Sequence, residues 1–315
     1  MTNYIIRRLA IFPVFLFVVS IVTFLVIRAL PGDAALVNLG LGNATCAECR
    51  EAIRERLGLD KPLPQQYWIW LSNAAHGDLG ESTTNRTEIA PQVRERGWNT
   101  LQITVASLLL TILLGIPLGA ISAVYNGGIF DYLARLVSIL GLSIPNFWLG
   151  TLIVTLPAVW WGWTPASNWV GWTQDPVEHL KLVLLPATVL AVGSAAYVSR
   201  IVRSSMLEAL YSDYVRTARA KGLKERAVIF AHVMRNSMLV VLTVLGLQAG
   251  VLLGGAVVVE SIFSVPGLGL MASQAVLARD YQTLQALIVI FAAWFITVQL
   301  IVDITYAWID PRLSY

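Results

Sequence analysis

Apolar and polar positions along this chain segregate on the scale of whole segments, and six apolar runs are long enough to cross a bilayer as helices. The first extends from Leu9 to Leu30 and stops at the turn signal Pro31-Gly32-Asp33. The others fall at about 101–124, 133–159, 182–202, 238–259 and 283–308. A long polar segment separates the first run from the second. Within it, Arg50 to Leu57 reads as a short helix, and Lys61-Pro62-Leu63-Pro64 as an extended connector. Gln66 to Leu71, with Tyr67, Trp68 and Trp70, suits a membrane interface. The pattern predicts an all-α integral membrane protein of six transmembrane helices. Residues 1–100 form the first helix and an extracytoplasmic segment, and residues 101–315 form a five-helix core.

Several spans carry helix-perturbing residues. Gly115, Pro117 and Gly119 permit a kink and close helix contact in the second. In the third, Ser143-Ile144-Pro145-Asn146 places a proline beside polar groups that would be costly against lipid. Asn146 therefore faces either a helix interface or a substrate pathway, and Ser143 and Gln248, the polar exception in the fifth span, are the other candidates to line such a pathway. Trp160, Trp161, Trp163, Trp169 and Trp172 read most simply as an interfacial belt. Asp303 lies close enough to the end of the last span to be solvated.

With 57% hydrophobic and 13% charged residues, the chain is too apolar for an ordinary soluble domain. Its net charge of +3 is dispersed between spans, which argues against nucleic-acid binding. Arg7 and Arg8 precede the first span and no small-residue cleavage site ends it, so that span is expected to remain as an anchor. Eight basic residues from Arg200 to Arg235 make that side cytoplasmic, and six spans put both termini there too. Cys46 and Cys49 form a lone C-x-x-C, read as a local disulfide or two thiols in preference to a metal or redox site. No Walker-type phosphate loop, nucleophile elbow or HExxH is present, and His76, His179 and His232 lie in separate segments. The chain is expected to be non-catalytic and to carry no cofactor or metal.

The most basic stretch is DYVRTARAKGLKERAVIFAHVMR, from Asp213 to Arg235. Asp213 can cap a two-turn helix from Tyr214 to Lys221, Gly222 can end it in the left-handed conformation, and a second helix would start near Lys224. Ala218, Ala220 and Gly222 would let another protein approach, with Arg216, Arg219 and Lys221 at the rim. On charge alone the same stretch also reads as a solvated basic loop.

Arg216-Thr217-Ala218, three residues and then Gly222 resemble the coupling-helix region of binding-protein-dependent ABC importer permeases. That family's pattern is Glu-Ala-Ala, three residues, then Gly, and its peptide-type members often carry Arg-Thr-Ala. LGLDKPLPQQYWIWL and HGDLGES, the stretch from Glu260 to Gly269, and the ending Asp310-Pro311-Arg312 are similar to dipeptide and oligopeptide permeases. One departure is Val240, which stands where the family usually has a proline.

The resemblance implies a type I ABC importer permease fold and import of dipeptides or oligopeptides across the cytoplasmic membrane of a prokaryote. Nickel chelates or glutathione are the alternative cargo. The implied partners are a second homologous permease, two ATPase subunits that hold the ATP and Mg, and an extracytoplasmic substrate-binding protein. The ATPases would dock on Asp213, Tyr214, Arg216, Thr217, Ala218, Arg219, Ala220, Lys221 and Gly222. Glu260, Phe263, Pro266 and Gly267 would either contact the binding protein or form a re-entrant turn packed on their own subunit. An ion-coupled secondary transporter, the reading from another class, would need intramembrane charges, which the middles of these spans almost lack.

Overall fold

The computed structural model describes residues 2–29, 60–164 and 168–309. Cys46, Cys49, the expected helix from Arg50 to Leu57 and the Asp310-Pro311-Arg312 ending lie outside the described residues. In chain order the helices are α1 (Thr2–Ala29), α2 (Leu63–Ala75), α3 (Ile89–Val124), α4 (Ile129–Ser143), α5 (Asn146–Trp161), α6 (Pro176–Leu210), α7 (Asp213–Ala220), α8 (Glu225–Phe263), α9 (Leu268–Ala278) and α10 (Tyr281–Ile309). Among the described residues five are long and apolar enough to span a membrane, and α4 with α5 makes six if the bent pair counts as one span.

The break falls inside the third apolar run, at the proline that the sequence marks as helix-perturbing. Ile144 is extended, with φ −89° and ψ 117°, because the ring of Pro145 disfavours helical geometry in the residue before it. The two helices meet at 92°. A difference lies at α2, where Pro64 sits in the first turn of a helix instead of an extended connector. A first-turn residue has no intrahelical partner for its N–H, so proline costs little there. The segment α9 was not foreseen. Its Leu268, Met271 and Ala275 recur at helical spacing and are buried.

The chain divides into two compact units, one mainly Thr100–Val265 and the other Ile6–Asn99 with Pro266–Ile296. This differs from a sequential split near residue 100, since α9 and most of α10 group with the N-terminal segment.

In the N-terminal unit, α2 packs on α1 through Tyr67, whose ring lies 5.5 Å from that of Phe24 and whose hydroxyl is 2.8 Å from Ser20 Oγ. Ile89, Leu268, Met271, Ala286 and Leu287 form its apolar core.

The larger unit is centred on α6. Asp175 caps this helix, its carboxylate accepting from the Val177 and Glu178 amides at 3.0 and 3.1 Å, and Pro176 occupies the first position. At 35 residues α6 is about 52 Å long, well beyond the ~30 Å of a hydrocarbon layer, so it projects from the membrane. The expected close contact at Gly115 and Gly119 is made with α6: a Cβ on Gly115 would fall 2.8 Å from the Ala195 carbonyl oxygen, and one on Gly119 would strike that of Ser199.

Candidate functional site

The short helix α7 lies between α6 and α8. Ser212 is its N-cap residue; Asp213 is already helical, makes no cap, and pairs with Arg216 at 2.8 Å. A carboxylate in the first turn still opposes the positive end of the helix dipole. Lys221 closes the helix and Gly222 follows at φ +76°, the left-handed conformation anticipated for it.

One face of α7 is apolar and buried. Val215 and Ala218 pack in a cluster with Val202, Met206 and Ala209 of α6, Ala123 of α3, and Val228 and Val233 of α8. Ala218 is therefore not available to a partner, and its small side chain serves close packing within the chain. Asp213, Tyr214, Arg216, Thr217, Arg219, Ala220, Lys221 and Gly222 remain exposed. Two contacts brace this surface. Arg219 grips Glu225 through two hydrogen bonds of 3.1 and 2.6 Å, and Asn236 Nδ2 donates to the Tyr214 hydroxyl at 3.2 Å. The segment Val228–Met234 is π-helical. Its i→i+5 bonding brings Val228 and Val233, five apart, toward the same side, where both are fully buried.

Beside this cluster lies an ionic constellation that sequence reasoning missed. Asp131, 1% exposed, accepts from Arg203 Nε at 2.9 Å and Nη2 at 3.1 Å, from Ser122 Oγ at 2.6 Å and from the Gly127 amide at 3.0 Å. Arg203 Nη2 also donates to Asn126 Oδ1 at 2.9 Å. A buried carboxylate without such partners would cost several kcal/mol, so the bonds make its burial tenable. In the sequence both residues read as ordinary charges flanking spans. The signal was weak because their partnership crosses 72 residues.

The candidate pathway residues divide. Ser143, at the end of α4, is exposed, with its hydroxyl donating to the Ile139 carbonyl at 2.8 Å. Asn146 opens α5 just past the break and is half-buried. Its amide lies over glycines of two other helices, 3.6 Å from a Cβ built on Gly193 and 3.9 Å from one on Gly255. Gln248 is buried in α8 and lines no open surface of the chain.

Two of the four candidate binding-protein contacts are inaccessible. Glu260 is fully buried and Gly267 is buried, whereas Phe263 and Pro266 are partly accessible. Val265 enters a core with Val183, Leu190 and Val259, which favours the turn packed on its own subunit.

Among the tryptophans, Trp163 and Trp169 help line a cavity of about 340 Å³ with Phe263 and Val265. Its charged residues, Glu178 and Lys181, pair with each other at 3.0 Å and so present no net charge. Among the described residues, no group of three or more His, Cys, Asp or Glu side chains could hold a metal.

Solved structures share this helical fold. The inward-facing MetNI methionine ABC transporter superposes with a TM-score of 0.56 at 17% identity, over 69% of this chain and 96% of that one. An amino acid ABC transporter with histidines gives 0.52 at 18%, over 71% and 94%.

The sequence places the chain more narrowly. Residues 115–315 match the family described as binding-protein-dependent transport system inner membrane component, and residues 1–94 match that family's N-terminal region. The glutathione transport system permease protein GsiC of Escherichia coli O6:H1 is 40% identical, and that of Shigella flexneri serotype 5b is 39% identical, each over 100% of both chains. The chain belongs to this family: it is an inner-membrane permease of an ABC importer with the type I fold.

Proposed function

We propose that this permease imports short peptides, that glutathione is the first cargo to test, and that two ATPase subunits drive it through α7. The observation that carries the mechanical part is the two-sidedness of α7. Val215 and Ala218 root it in the core that joins α3, α6 and α8, while Arg216, Arg219, Ala220 and Lys221 are exposed on the other side. A helix held that way passes a push on its outer face directly to the long helices beneath.

In this reading the outer face of α7 lies in the cytoplasm with both termini, which agrees with the basic residues gathered from Arg200 to Arg235. ATP and Mg are held by the ATPases, and this chain is non-catalytic. A second permease completes the pathway and an extracytoplasmic binding protein delivers the cargo. Closure of the ATPases displaces α7 and rocks the spans, so that a central cavity opens to each side in turn.

The peptide class rests on the full-length similarity to glutathione permeases and on the Arg216-Thr217-Ala218…Gly222 signature. Glutathione is a tripeptide, so the two indications agree. The test is purification of the tagged chain with its co-purifying subunits, reconstitution with the binding protein, and uptake of labelled glutathione against a labelled dipeptide. ATP-dependent uptake of either supports the reading. Uptake by the chain alone on an ion gradient would replace it with a secondary transporter.

A further inference from the structure

Three contacts fasten α4 along α6, all from side chains or glycines whose spacing follows two antiparallel helices. Near the start of α4, Asp131 takes the Arg203 guanidinium in a two-pronged ion pair. About two and three turns further along α4, Ser138 Oγ donates to Ser199 Oγ at 3.3 Å, and Gly141 lies so close that a Cβ there would come within 3.0 Å of the Ala196 side chain. Arg203 in turn stands one residue from Val202, which shares a core with Val215 and Ala218 of α7. At its far end α4 has no helical continuation: the chain turns through 92° at Ile144-Pro145 before α5 begins.

We propose that Asp131 and Arg203 are positioning residues of the transport step, locking α4 to α6 so that both follow α7 as one body and the displacement is taken up at the Ile144-Pro145 break beside Asn146. The geometry makes this pair the part of the lock that resists sliding. A bidentate guanidinium–carboxylate contact fixes register and direction, whereas one hydroxyl bond and a glycine contact permit slip. Asp131 is also tied to α3 through Ser122 and to the α3–α4 turn through Gly127, so it cannot follow Arg203 by rotating alone. α4 is a 15-residue rod of about 22 Å, which carries a displacement of its first turn to Ser143 at its last.

This inference rests on the docking reading of α7, and the experiment separates the two. Ser143 is exposed at the end of α4, so Ser143→Cys in a chain with Cys46→Ser and Cys49→Ser reports movement at the break through its rate of maleimide labelling. The complete complex with its ATPase subunits is labelled without nucleotide and with ATP, Mg and vanadate; no cargo is required. With Asp131 and Arg203 intact, the two rates are expected to differ by about tenfold. Asp131→Asn, compared at equal content of assembled ATPase, is expected to bring the ratio close to one. Arg203→Lys, which keeps the charge but not the fork, is expected to fall between, and serves if the first variant does not assemble.

A full nucleotide response in either assembled variant overturns the proposal and leaves the docking reading intact. Absence of a response in the parent complex, with ATP hydrolysed normally, overturns the docking reading and the proposal with it. A purely structural role for the pair would reduce the amount of assembled complex without changing the labelling ratio, and that result also counts against positioning.

Discussion

The Ser82 hydroxyl donates to the carboxylate of Asp280, 198 residues further along the chain. Thr83 adds its amide at 3.1 Å and its hydroxyl at 2.9 Å, and Thr283 its amide at 3.2 Å and hydroxyl at 2.8 Å. One buried carboxylate thus pins the Ser82-Thr83 turn to the start of α10.

Burial raises the Asp280 pKa, but the bonds from Ser82, Thr283 and Thr83 outweigh it and hold the carboxyl below its ordinary value of 3.8. A depressed folded-state pKa stabilises the fold above the unfolded value, and that contribution is lost as the pH falls through the folded one. Protection of the segment Ser82–Ile89 from hydrogen exchange is therefore expected to be flat from neutral pH down to about 5 and to fall only below the ordinary carboxylate range. Asp280→Asn should cost about 2 kcal/mol at neutral pH and abolish this site's acid dependence. An acid-sensitive wild type with midpoint near 6 would contradict the assignment.

Gly119 faces the Ser199 carbonyl and the Val202 side chain with no room for a methyl group, whereas nothing lies within 4 Å of a Cβ on Gly254. Gly119→Ala should destabilise the detergent-purified chain by about 2 kcal/mol, read as a lowered Tm. Gly254→Ala in the same chain should leave Tm unchanged.

The two alanines of α7 should separate folding from coupling. Ala218→Glu puts a charge into the cluster around Val215 and is expected to cost about 3 kcal/mol, with loss of folded protein. Ala220→Glu sits on the exposed face, so the chain should fold normally while binding-protein-stimulated hydrolysis no longer yields transport. Equal behaviour of the two in transport and thermal assays would refute a two-faced helix.

Asn146→Ala tests whether this residue packs or lines the pathway. Interhelical polar contacts in membranes contribute about 1 kcal/mol, so a small loss of Tm is expected in either case. Pathway lining predicts in addition a changed preference between glutathione and a dipeptide in reconstituted uptake. An unchanged preference would assign Asn146 to packing between the glycines of α6 and α8.

The apolar runs were legible because a bilayer demands about 20 apolar residues of any helix that crosses it, wherever the helix sits in the fold. Gly222 likewise announced the end of α7, since left-handed backbone is a local requirement that glycine meets without steric cost. Pro145 signalled a perturbation, but a proline kinks some helices and breaks others. The 92° turn depends on how α4 and α5 pack against their neighbours.

Burial was the part that sequence could not supply. Ala218 and Ala220 have the same side chain two residues apart, and only the core formed with α3, α6 and α8 decides that the first faces inward. Glu260 and Gln248 carry polar groups that suggest contact with a partner or a pathway, yet both are enclosed by their own chain. Asp131 and Arg203 read as separate charges at the margins of two spans. Their pairing depends on α4 and α6 running antiparallel side by side, which brings together two residues 72 apart in the chain. Hydropathy is a property of each segment alone, whereas facing, register and ion pairing belong to two segments at once, and those the tertiary structure decided.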